Sequence, residues 1–308
     1  MEKHTKIYIA GHGWLVWSAL VKKFQSEGYS NILLKTSKEL DLRNQTDVNC
    51  FFEKEQPEVV ILAAAKVWWV QTNATYPFDM LYENIQIQTN VIWAANTYNT
   101  KKLLFISSST IYPSECNQPI KETVLLEGKL DPLHESYGLA KICGIKLCEK
   151  IQKQSNKEFF ALVPTNIYGV WDHFEETRAH VIGALMTRFH NAKNNNIQNV
   201  SVRWSWNALR EFIYVDDVAD ACYFFLTHPT SSPHINIGTS QEISIKDLSC
   251  MIKKIVWYTW EIIFDTTKPE WRLKRKLDTS LAKTYWRNAS TSLESWIQKT
   301  YEYFLSIL

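Results

Sequence analysis

Two side chains that could together deliver a proton lie four positions apart in a predicted helix over residues 135–154. This spacing puts the phenol of Tyr137 and the ammonium of Lys141 on one helix face. Reduction of a ketone needs a proton donor as hydride arrives, and a phenol becomes a competent donor when an ammonium stabilises its anion. The pair therefore points to a carbonyl reductase in which Tyr137 is the acid and Lys141 lowers its pKa.

Taken alone, this pair also fits a solvated surface contact, because Tyr-x-x-x-Lys occurs by chance in many helices. A second feature favours the reductase: the hydroxyl-rich segment Ser107-Ser108-Ser109-Thr110 follows an apolar run at 102–107. A strand there would place these hydroxyls at the carboxyl edge of a sheet, where ligands of such folds bind. We expect Ser108 to hydrogen-bond the substrate carbonyl and orient it.

The elements that would position these residues follow the pattern of βαβ units, in which short apolar runs alternate with longer amphipathic stretches. We predict strands at 6–10, 31–35, 59–63, 102–107 and 159–163, and helices at 15–26, 46–55, 79–98 and 135–154. Gly28 stands where a helix C-terminal cap is expected. The predicted fold class is α/β, a Rossmann-type doubly wound parallel sheet.

The alternation becomes irregular after about Tyr168, with a predicted helix at 180–193 and a second apolar group at 210–226. We therefore predict a dinucleotide-binding Rossmann domain over residues 1–168. A smaller C-terminal α/β substrate-binding lobe would cover residues 169–308, with some chain crossing between the lobes.

The predicted first strand runs into the first helix through the segment Gly11-His12-Gly13-Trp14-Leu15-Val16-Trp17. This is where a helix N-terminus cradles a dinucleotide pyrophosphate. Trp14 and Trp17 contradict the need for glycine in so tight a turn. Lys35, at the end of the second strand, can pair with a 2′-phosphate and so favours NADP(H) over NAD, although a solvated strand-end lysine would look the same.

Composition excludes several other classes of protein. The net charge of +2 arises from 34 basic and 32 acidic residues without a long run of one sign, so nucleic-acid and membrane-surface binding are not expected. No apolar stretch approaches the roughly 20 residues of a membrane span, and no signal peptide is visible. Six cysteines without a Cys-x-x-Cys pair predict buried reduced thiols. We expect a cytoplasmic enzyme with a small-molecule partner.

Eight phrases resemble the GDP-L-fucose synthase family of the extended short-chain dehydrogenases/reductases along nearly the whole chain. They are Ala63-Ala-Ala-Lys66-Val67, Tyr82-Glu-Asn84, Ser108-Ser-Thr-Ile-Tyr-Pro113, Tyr137-Gly-Leu-Ala-Lys141, Pro164-Thr-Asn166-Ile-Tyr-Gly169, Ala179-His180-Val-Ile182, Arg210-Glu-Phe-Ile-Tyr-Val-Asp-Asp217 and Asn236-Ile-Gly238. The resemblance implies NADPH-dependent conversion of GDP-4-keto-6-deoxy-D-mannose to GDP-L-fucose, by 3,5-epimerisation and then 4-keto reduction. It also implies a homodimer formed through the helices at 79–98 and 135–154.

The resemblance also implies the roles of individual residues. Ser108, Tyr137 and Lys141 would form the reductase triad, and His180 would be the acid of the epimerisation. Cofactor-binding residues would be Gly11, His12, Gly13, Trp14, Leu15, Val16, Trp17, Lys35, Asp41, Leu42, Ala63, Ala64, Ala65, Tyr137, Lys141, Pro164 and Asn166. Substrate-binding residues would be Asn166, His180, Arg188, Trp204, Arg210, Arg272 and Lys274. Spacing alone would make His180 a core-packed residue at a helix N-terminus and Arg210 a surface arginine.

Thr110 is a departure from the family, which has a cysteine base at this catalytic position. A hydroxyl is a far poorer base than a thiolate. The chain could therefore reduce a related 4-keto GDP-sugar without epimerising it, or epimerise it with another base.

Tryptophan in place of glycine is a second departure, seen at Trp14, Trp17, Trp68, Trp69, Trp204, Trp206, Trp271 and Trp296. The chain has 13 tryptophans and 9 glycines, whereas roughly 7% glycine is usual. One hypothesis is that the gene uses UGA as a glycine codon and has been translated with UGA as tryptophan. The alternative is a tryptophan-rich pseudoenzyme whose cofactor turn is blocked.

Two further functions stay open on the sequence. A nucleotide-sugar 4-epimerase or dehydratase would keep its NAD bound and show no net cofactor turnover. A non-catalytic Rossmann scaffold would fold without binding NADPH, which tryptophan at positions 14 and 17 would favour.

Overall fold

Strands and helices alternate in the computed structural model, which describes residues 1–11, 13, 15–67, 75–175, 179–203, 208–228, 230–265, 274–286 and 292–308. The strands are β1 (Ile7–Ala10), β2 (Ile32–Leu33), β3 (Val59–Leu62), β4 (Lys102–Ile106), β5 (Glu158–Pro164), β6 (Asn166–Tyr168), β7 (Asn199–Arg203), β8 (Leu209–Tyr214), β9 (His234–Ile237), β10 (Glu242–Ser244) and β11 (Glu261–Asp265). The helices are α1 (Leu15–Ser26), α2 (Gln45–Glu55), α3 (Pro77–Thr97), α4 (Glu135–Gln154), α5 (Val181–Asn194), α6 (Val215–Thr227), α7 (Ile245–Val256), α8 (Ser280–Tyr285) and α9 (Leu293–Ser306). Within the described ranges, no helix combines the length and apolarity needed to cross a membrane.

The central sheet has six parallel strands in the order β2-β1-β3-β4-β5-β9. Strands β1 and β3 are buried along their whole length, because helices cover both faces of the sheet. The strand order reverses at β1, which has β2 on one side and β3 on the other. In such sheets ligands bind outside the carboxyl ends of the strands at this switch point.

Alternate residues of each strand enter two separate apolar cores, one on each face of the sheet. Ile7 and Ile9 of β1 belong to the core that includes Phe24 of α1. Tyr8 and Ala10 belong to the other core. This period of two, with helices on both sides, confirms the predicted doubly wound architecture.

The second half of the chain is not a simple continuation of the sheet. Strands β10, β8 and β6 form a three-stranded sheet, and β7 pairs with β11. Strand β9 returns to the central sheet beside β5, and α6 packs against α1. The chain therefore crosses between its two halves, and the domain division at residue 168 stays a prediction.

Helices α1 and α4 have the predicted bounds, whereas the second strand is shorter than predicted. Residues 31–35 were expected to be extended, but only Ile32 and Leu33 pair, because β2 is an edge strand that contacts β1 alone. The apolar group at 210–226 divides into β8 and α6. Gly28 has φ +84° and follows α1 as the predicted cap.

The cysteines are only partly buried, which corrects the prediction. All six are free, and Cys148 and Cys222 are buried as expected. Cys50 and Cys250 are exposed, because each lies on the outer face of its helix, α2 or α7. Apolar neighbours in the sequence do not show which way a helical side chain points.

Candidate active site

The carboxyl edge of the central sheet collects residues from five different strands. After these strands come, in chain order, Gly11 and Gly13, Lys35, Ala63 to Ala65, Ser108, and Pro164 at the end of β5. Because the strands are parallel, all these residues lie at one edge of the sheet. The predicted cofactor and catalytic residues thus share the edge that such folds use for ligands.

Ser108 caps a short 3₁₀ helix, Ser109–Ile111, that begins just beyond β4. Its Oγ accepts hydrogen bonds from the Thr110 backbone N–H at 3.3 Å and from Thr110 Oγ1 at 3.2 Å. A serine hydroxyl that accepts two bonds still has its own proton to donate. The turn therefore leaves the Ser108 O–H able to bind a carbonyl oxygen.

Lys141 lies in the core of the site and is 2% exposed. Its Nζ donates to the Ile106 carbonyl at 2.7 Å and lies 4.5 Å from the Phe105 ring centroid and 5.5 Å from that of Tyr137. Burial lowers the pKa of Lys141 to about 7, since a buried ammonium loses its hydration. This ammonium therefore titrates near neutral pH.

The pKa of Tyr137 differs from the prediction, because burial raises the pKa of its phenol above the ordinary value. The sequence suggested that Lys141 would lower this pKa. Lys141 lies one turn away, but desolvation sets the direction of the pKa shift of both groups. Tyr137 consequently keeps its proton at neutral pH, as a general acid must before it reacts.

Two glycines let α4 approach the catalytic turn closely. A Cβ on Gly138 would lie 2.9 Å from the Thr110 carbonyl oxygen and 3.0 Å from Leu130 Cδ1. A Cβ on Gly144 would lie 2.5 Å from the Phe105 ring. Gly138, Lys141 and Gly144 are three residues apart, so one face of α4 sits against β4 and the turn that follows it.

Gly138→Ala is expected to destabilise the protein by about 1–3 kcal/mol, because the new methyl group meets the backbone of Thr110. Helix propensity alone predicts the opposite sign, a gain of about 1 kcal/mol. Chemical denaturation measures this difference, and we expect the reduction rate to fall at least about tenfold as Tyr137 moves from Ser108. Lys150→Ala is the control, since Lys150 is exposed on the same helix. Equal rates in both variants would contradict the close-packing argument.

Arg275 lies in the basic segment at 272–276, which the family resemblance associates with GDP-sugar binding, and its contact with the Ser108 turn was not predicted from the sequence. Its Nη2 donates to the carbonyl of Ser109 and, at 3.2 Å, to that of Tyr112. Buried Glu211 accepts from the Leu277 N–H at 3.2 Å and from the Ser240 N–H at 2.6 Å, and so fixes the chain two residues further on. Arg275 thereby ties the C-terminal part of the chain to the Ser108 turn.

Arg275→Met is expected to lower kcat about tenfold with little change in KM, because the turn carrying Ser108 loses two charge-assisted hydrogen bonds. The free energy of unfolding should fall by on the order of 2 kcal/mol. Steady-state kinetics measure the split between kcat and KM. Arg275→Lys should recover part of kcat, and Lys276→Met serves as a neighbouring control. A change in KM alone would show that Arg275 does not position the turn.

The backbone of the β1–α1 turn fits a dinucleotide phosphate. Gly11 and Gly13 have φ +149° and +62°, and a Cβ on Gly13 would meet nothing within 4 Å. Leu15, Val16 and Trp17 open α1, where backbone N–H groups lack helical partners. Trp17 Cδ1 lies 3.0 Å from a Cβ built on Gly11, and its Nε1 donates to the Ile9 carbonyl at 3.2 Å. His12 and Trp14 lie outside the described residues.

Four other predicted cofactor residues have protein partners. Lys35 Nζ is 3.8 Å from Glu39, and its side chain is partly exposed. Arg43 binds Asp41 at 2.8 Å and holds the pKa of that carboxyl below its usual range. The Leu42 carbonyl accepts from Asn90 Nδ2 at 3.0 Å, and the Ala63 N–H donates to the Ala10 carbonyl at 2.9 Å. Their roles toward a cofactor stay predictions.

The predicted substrate residues are spread over several elements. Asn166 Nδ2 donates to the Glu211 carbonyl, Arg188 Nη1 to that of Ser201 and Arg210 Nη1 to that of Leu209, each at 2.8 Å. Lys274 forms an ion pair with Glu242 at 3.3 Å. Trp204 and Arg272 lie outside the described residues, as do Trp68, Trp69, Trp206 and Trp271.

His180 lies at the N-terminus of α5, as predicted. Its side chain is exposed instead of packed on the core, which corrects the expectation from spacing alone. Asp172, which no sequence motif pointed to, lies within electrostatic range of His180. Burial raises the pKa of Asp172, and the charge of His180 opposes this shift. An exposed imidazole beside a carboxyl group is suited to proton transfer.

A doubly wound sheet with a serine, a tyrosine and a buried lysine at its carboxyl edge defines the short-chain dehydrogenase/reductase class. The profile of the NAD dependent epimerase/dehydratase family matches residues 7–238. This match covers most of the chain, and the chain belongs to that family.

The chain is also similar to individual proteins whose names refer to GDP-linked sugars. GDP-L-fucose synthase 1 of Arabidopsis thaliana is 45% identical over 305 residues, covering 99% of this chain and 94% of the relative. A GDP-6-OMe-4-keto-L-xylo-heptose reductase from C. jejuni superposes with a TM-score of 0.94 at 33% identity, covering 100% of this chain and 99% of that one. The GDP-mannoheptose C4 reductase of Campylobacter jejuni with NADP bound gives 0.89 at 35% identity, covering 99% of both chains.

Proposed function

We propose that the chain converts GDP-4-keto-6-deoxy-D-mannose to GDP-L-fucose with NADPH, by 3,5-epimerisation and then 4-keto reduction. The observation that carries the proposal is the buried Lys141, whose Nζ binds the Ile106 carbonyl at the end of β4 and lies 5.5 Å from the Tyr137 ring centroid. The names and NADP content of the relatives support the substrate class and the cofactor.

In the reduction step, bound NADPH supplies hydride to the C4 carbonyl carbon. Ser108 donates a hydrogen bond to the carbonyl oxygen and orients it. Tyr137 gives its proton to that oxygen as negative charge develops there. The Lys141 ammonium stabilises the phenolate that remains, and its attraction grows as Tyr137 becomes an anion.

The cofactor would be held at the switch point of the sheet. Gly11, Gly13 and the N-terminus of α1 would receive the pyrophosphate, because backbone N–H groups there have no helical partners. Lys35 would pair with the 2′-phosphate of NADPH. It would leave its 3.8 Å contact with Glu39, because the phosphate carries more negative charge than one carboxylate. The Lys141 ammonium would also bind the nicotinamide ribose.

Epimerisation needs a base and an acid, and the chain offers a suitable acid but only a weak base. His180 is exposed at the start of α5 and would serve as the acid. Thr110 is a weak base, because an alcohol is far less basic than a thiolate, and its hydroxyl donates to Ser108 at 3.2 Å. The alcohol at this position favours a second candidate function, a 4-keto reductase that acts on a related GDP-sugar without epimerising it.

Reaction in deuterium oxide separates the two candidates. The protein purified from its source cells should oxidise NADPH with GDP-4-keto-6-deoxy-D-mannose in either case. Epimerisation would place solvent deuterium at C3 and C5 of the product, which NMR detects, whereas simple reduction would leave both positions unlabelled. Absence of NADPH oxidation with this substrate, measured in protein shown to bind NADPH, would overturn the proposed function.

Thr110→Cys is expected to increase deuterium incorporation at C3 and C5 at least about tenfold, because a thiolate replaces an alcohol as the base. The rate of 4-keto reduction should change little. Thr110→Ser is the matched control, since it keeps the hydroxyl and its contact with Ser108. Equal incorporation in the cysteine and serine variants would show that another group is the base.

We infer that the enzyme acts as a homodimer in the cytoplasm. Helices α3 and α4 pack together and expose the large apolar side chains of Phe78, Tyr82 and Leu139. Covering such a surface with a second copy removes apolar area from water. Sedimentation equilibrium should give twice the mass of one chain, and a monomer at micromolar concentration would contradict the inference.

A further inference from the structure

Trp257 occupies a backbone position that normally requires glycine. It follows α7 with φ 62° and ψ 37°, and its N–H donates to the Lys254 carbonyl at 3.2 Å. The next N–H, that of Tyr258, donates to the Lys253 carbonyl at 3.0 Å. This pair of bonds is the Schellman ending of a helix, whose left-handed residue is usually glycine because a Cβ is strained there.

The indole of Trp257 does not offset this strain by packing against the protein. Its side chain is 77% exposed, so little apolar surface is removed from water. Trp171 is similar in backbone conformation, with φ 69°. Among the described residues, two of the seven non-glycine positions with positive φ are tryptophan, although left-handed conformations favour asparagine and aspartate after glycine.

Two other tryptophans occupy closely packed positions. A Cβ built on Gly11 would lie only 3.0 Å from Trp17 Cδ1, so the indole lies against the turn where a glycine at 17 would permit close packing of the first helix on the first strand. Trp296 stacks on Tyr214 with ring centroids 3.7 Å apart, and its buried Nε1 has no hydrogen-bond partner among the described residues. Buried indole N–H groups normally find a partner.

We propose that the active protein carries glycine where this sequence has tryptophan, first of all at positions 14, 17, 171 and 257, because one codon read as tryptophan specifies glycine in the cell that makes it. A single reassigned codon explains why one residue type replaces glycine in turns, caps and the phosphate site alike. The 13 tryptophans and 9 glycines together make 22, close to the roughly 7% glycine of ordinary chains.

The consequence for the site is a complete phosphate-binding turn. In this fingerprint one glycine lets the backbone approach the pyrophosphate and another lets the helix pack closely on the strand, the roles expected of glycine at positions 14 and 17. The residues at these positions can be identified by mass, without an assay of catalysis.

The masses of three tryptic peptides from the protein made in its source cells decide the question. Peptides 7–22 and 255–272 contain positions 14, 17 and 257, and position 171 falls in peptide 158–178. Each should be lighter than its written sequence by one glycine-for-tryptophan exchange per tryptophan. Tryptophan at 14, 17 and 257 would overturn the inference, whether or not the protein reduces any sugar.

Engineered variants give a second, independent readout. In the protein made with tryptophan, Trp14→Gly with Trp17→Gly should tighten NADPH binding at least tenfold by calorimetry. Trp257→Gly, far from the turn in sequence, should raise the denaturation midpoint and leave NADPH affinity unchanged. Unchanged affinity in the double variant and a lowered midpoint in Trp257→Gly would contradict the inference.

Discussion

Tyr137→Phe should lower kcat for 4-keto reduction by ~100-fold to ~10,000-fold, the range expected when a general acid is removed. The phenol is the proton source beside Lys141, whose Nζ is 5.5 Å from the Tyr137 ring centroid. Phenylalanine keeps the ring and its packing and removes only the hydroxyl. Single-turnover oxidation of NADPH measures the chemical step directly.

Two observations would separate loss of the acid from loss of structure. The Tyr137→Phe protein should bind NADPH and unfold at the same denaturant concentration as the unaltered protein. Tyr285→Phe is the control for hydroxyl removal, because Tyr285 is 55% exposed at the end of α8. A loss of less than about tenfold in kcat would exclude Tyr137 as the principal proton donor.

Lys141→Met should abolish most reductase activity and yet stabilise the protein at acid and neutral pH. Burial lowers the pKa of Lys141 from 10.5 to about 7, so its charged form is disfavoured in the folded state. That depression corresponds to roughly 3–5 kcal/mol of destabilisation when the lysine is protonated. Methionine fills a similar volume. Loss of the hydrogen bond to the Ile106 carbonyl should destabilise the variant by only about 1–3 kcal/mol.

The stability gain of Lys141→Met should depend on pH. Between about pH 7 and 10.5 the unfolded chain holds a proton on Lys141 that the folded chain has released, so stability rises with pH across this window. Below pH 7 the full penalty is present. The advantage of Lys141→Met in urea denaturation should therefore be largest near pH 6 and shrink toward pH 10. A variant less stable than the parent near pH 6 would contradict the buried-ammonium account.

Local periodicity was enough to predict the architecture and the proximity of Tyr137 and Lys141. The buried runs of β1 and β3, the amphipathic α1 and α4, and Gly28 after α1 are all local signals, and each was found where the sequence placed it. Tyr137 and Lys141 are four apart on one helix, so their proximity needed no knowledge of the fold.

The rest of the site depends on contacts that local patterns do not carry. Arg275 reaches carbonyls 163 and 166 residues earlier in the chain, and Glu211 reaches Leu277 across 66 residues. Desolvation, which sets the Tyr137 and Lys141 pKa values, depends on the packing of the whole helix. His180 shows the same limit. Its spacing places it at a helix end, but it does not show that the side chain is exposed.

Transfer of deuterium from NADPH labelled at its transferred position tests the central claim most directly. With GDP-4-keto-6-deoxy-D-mannose, one deuterium should appear at C4 of the product for each NADPH oxidised, and Tyr137→Phe should slow this transfer. Turnover of a nucleotide sugar with no net loss of NADPH and no deuterium at C4 would contradict the account. That result would indicate a 4-epimerase or dehydratase that keeps its cofactor.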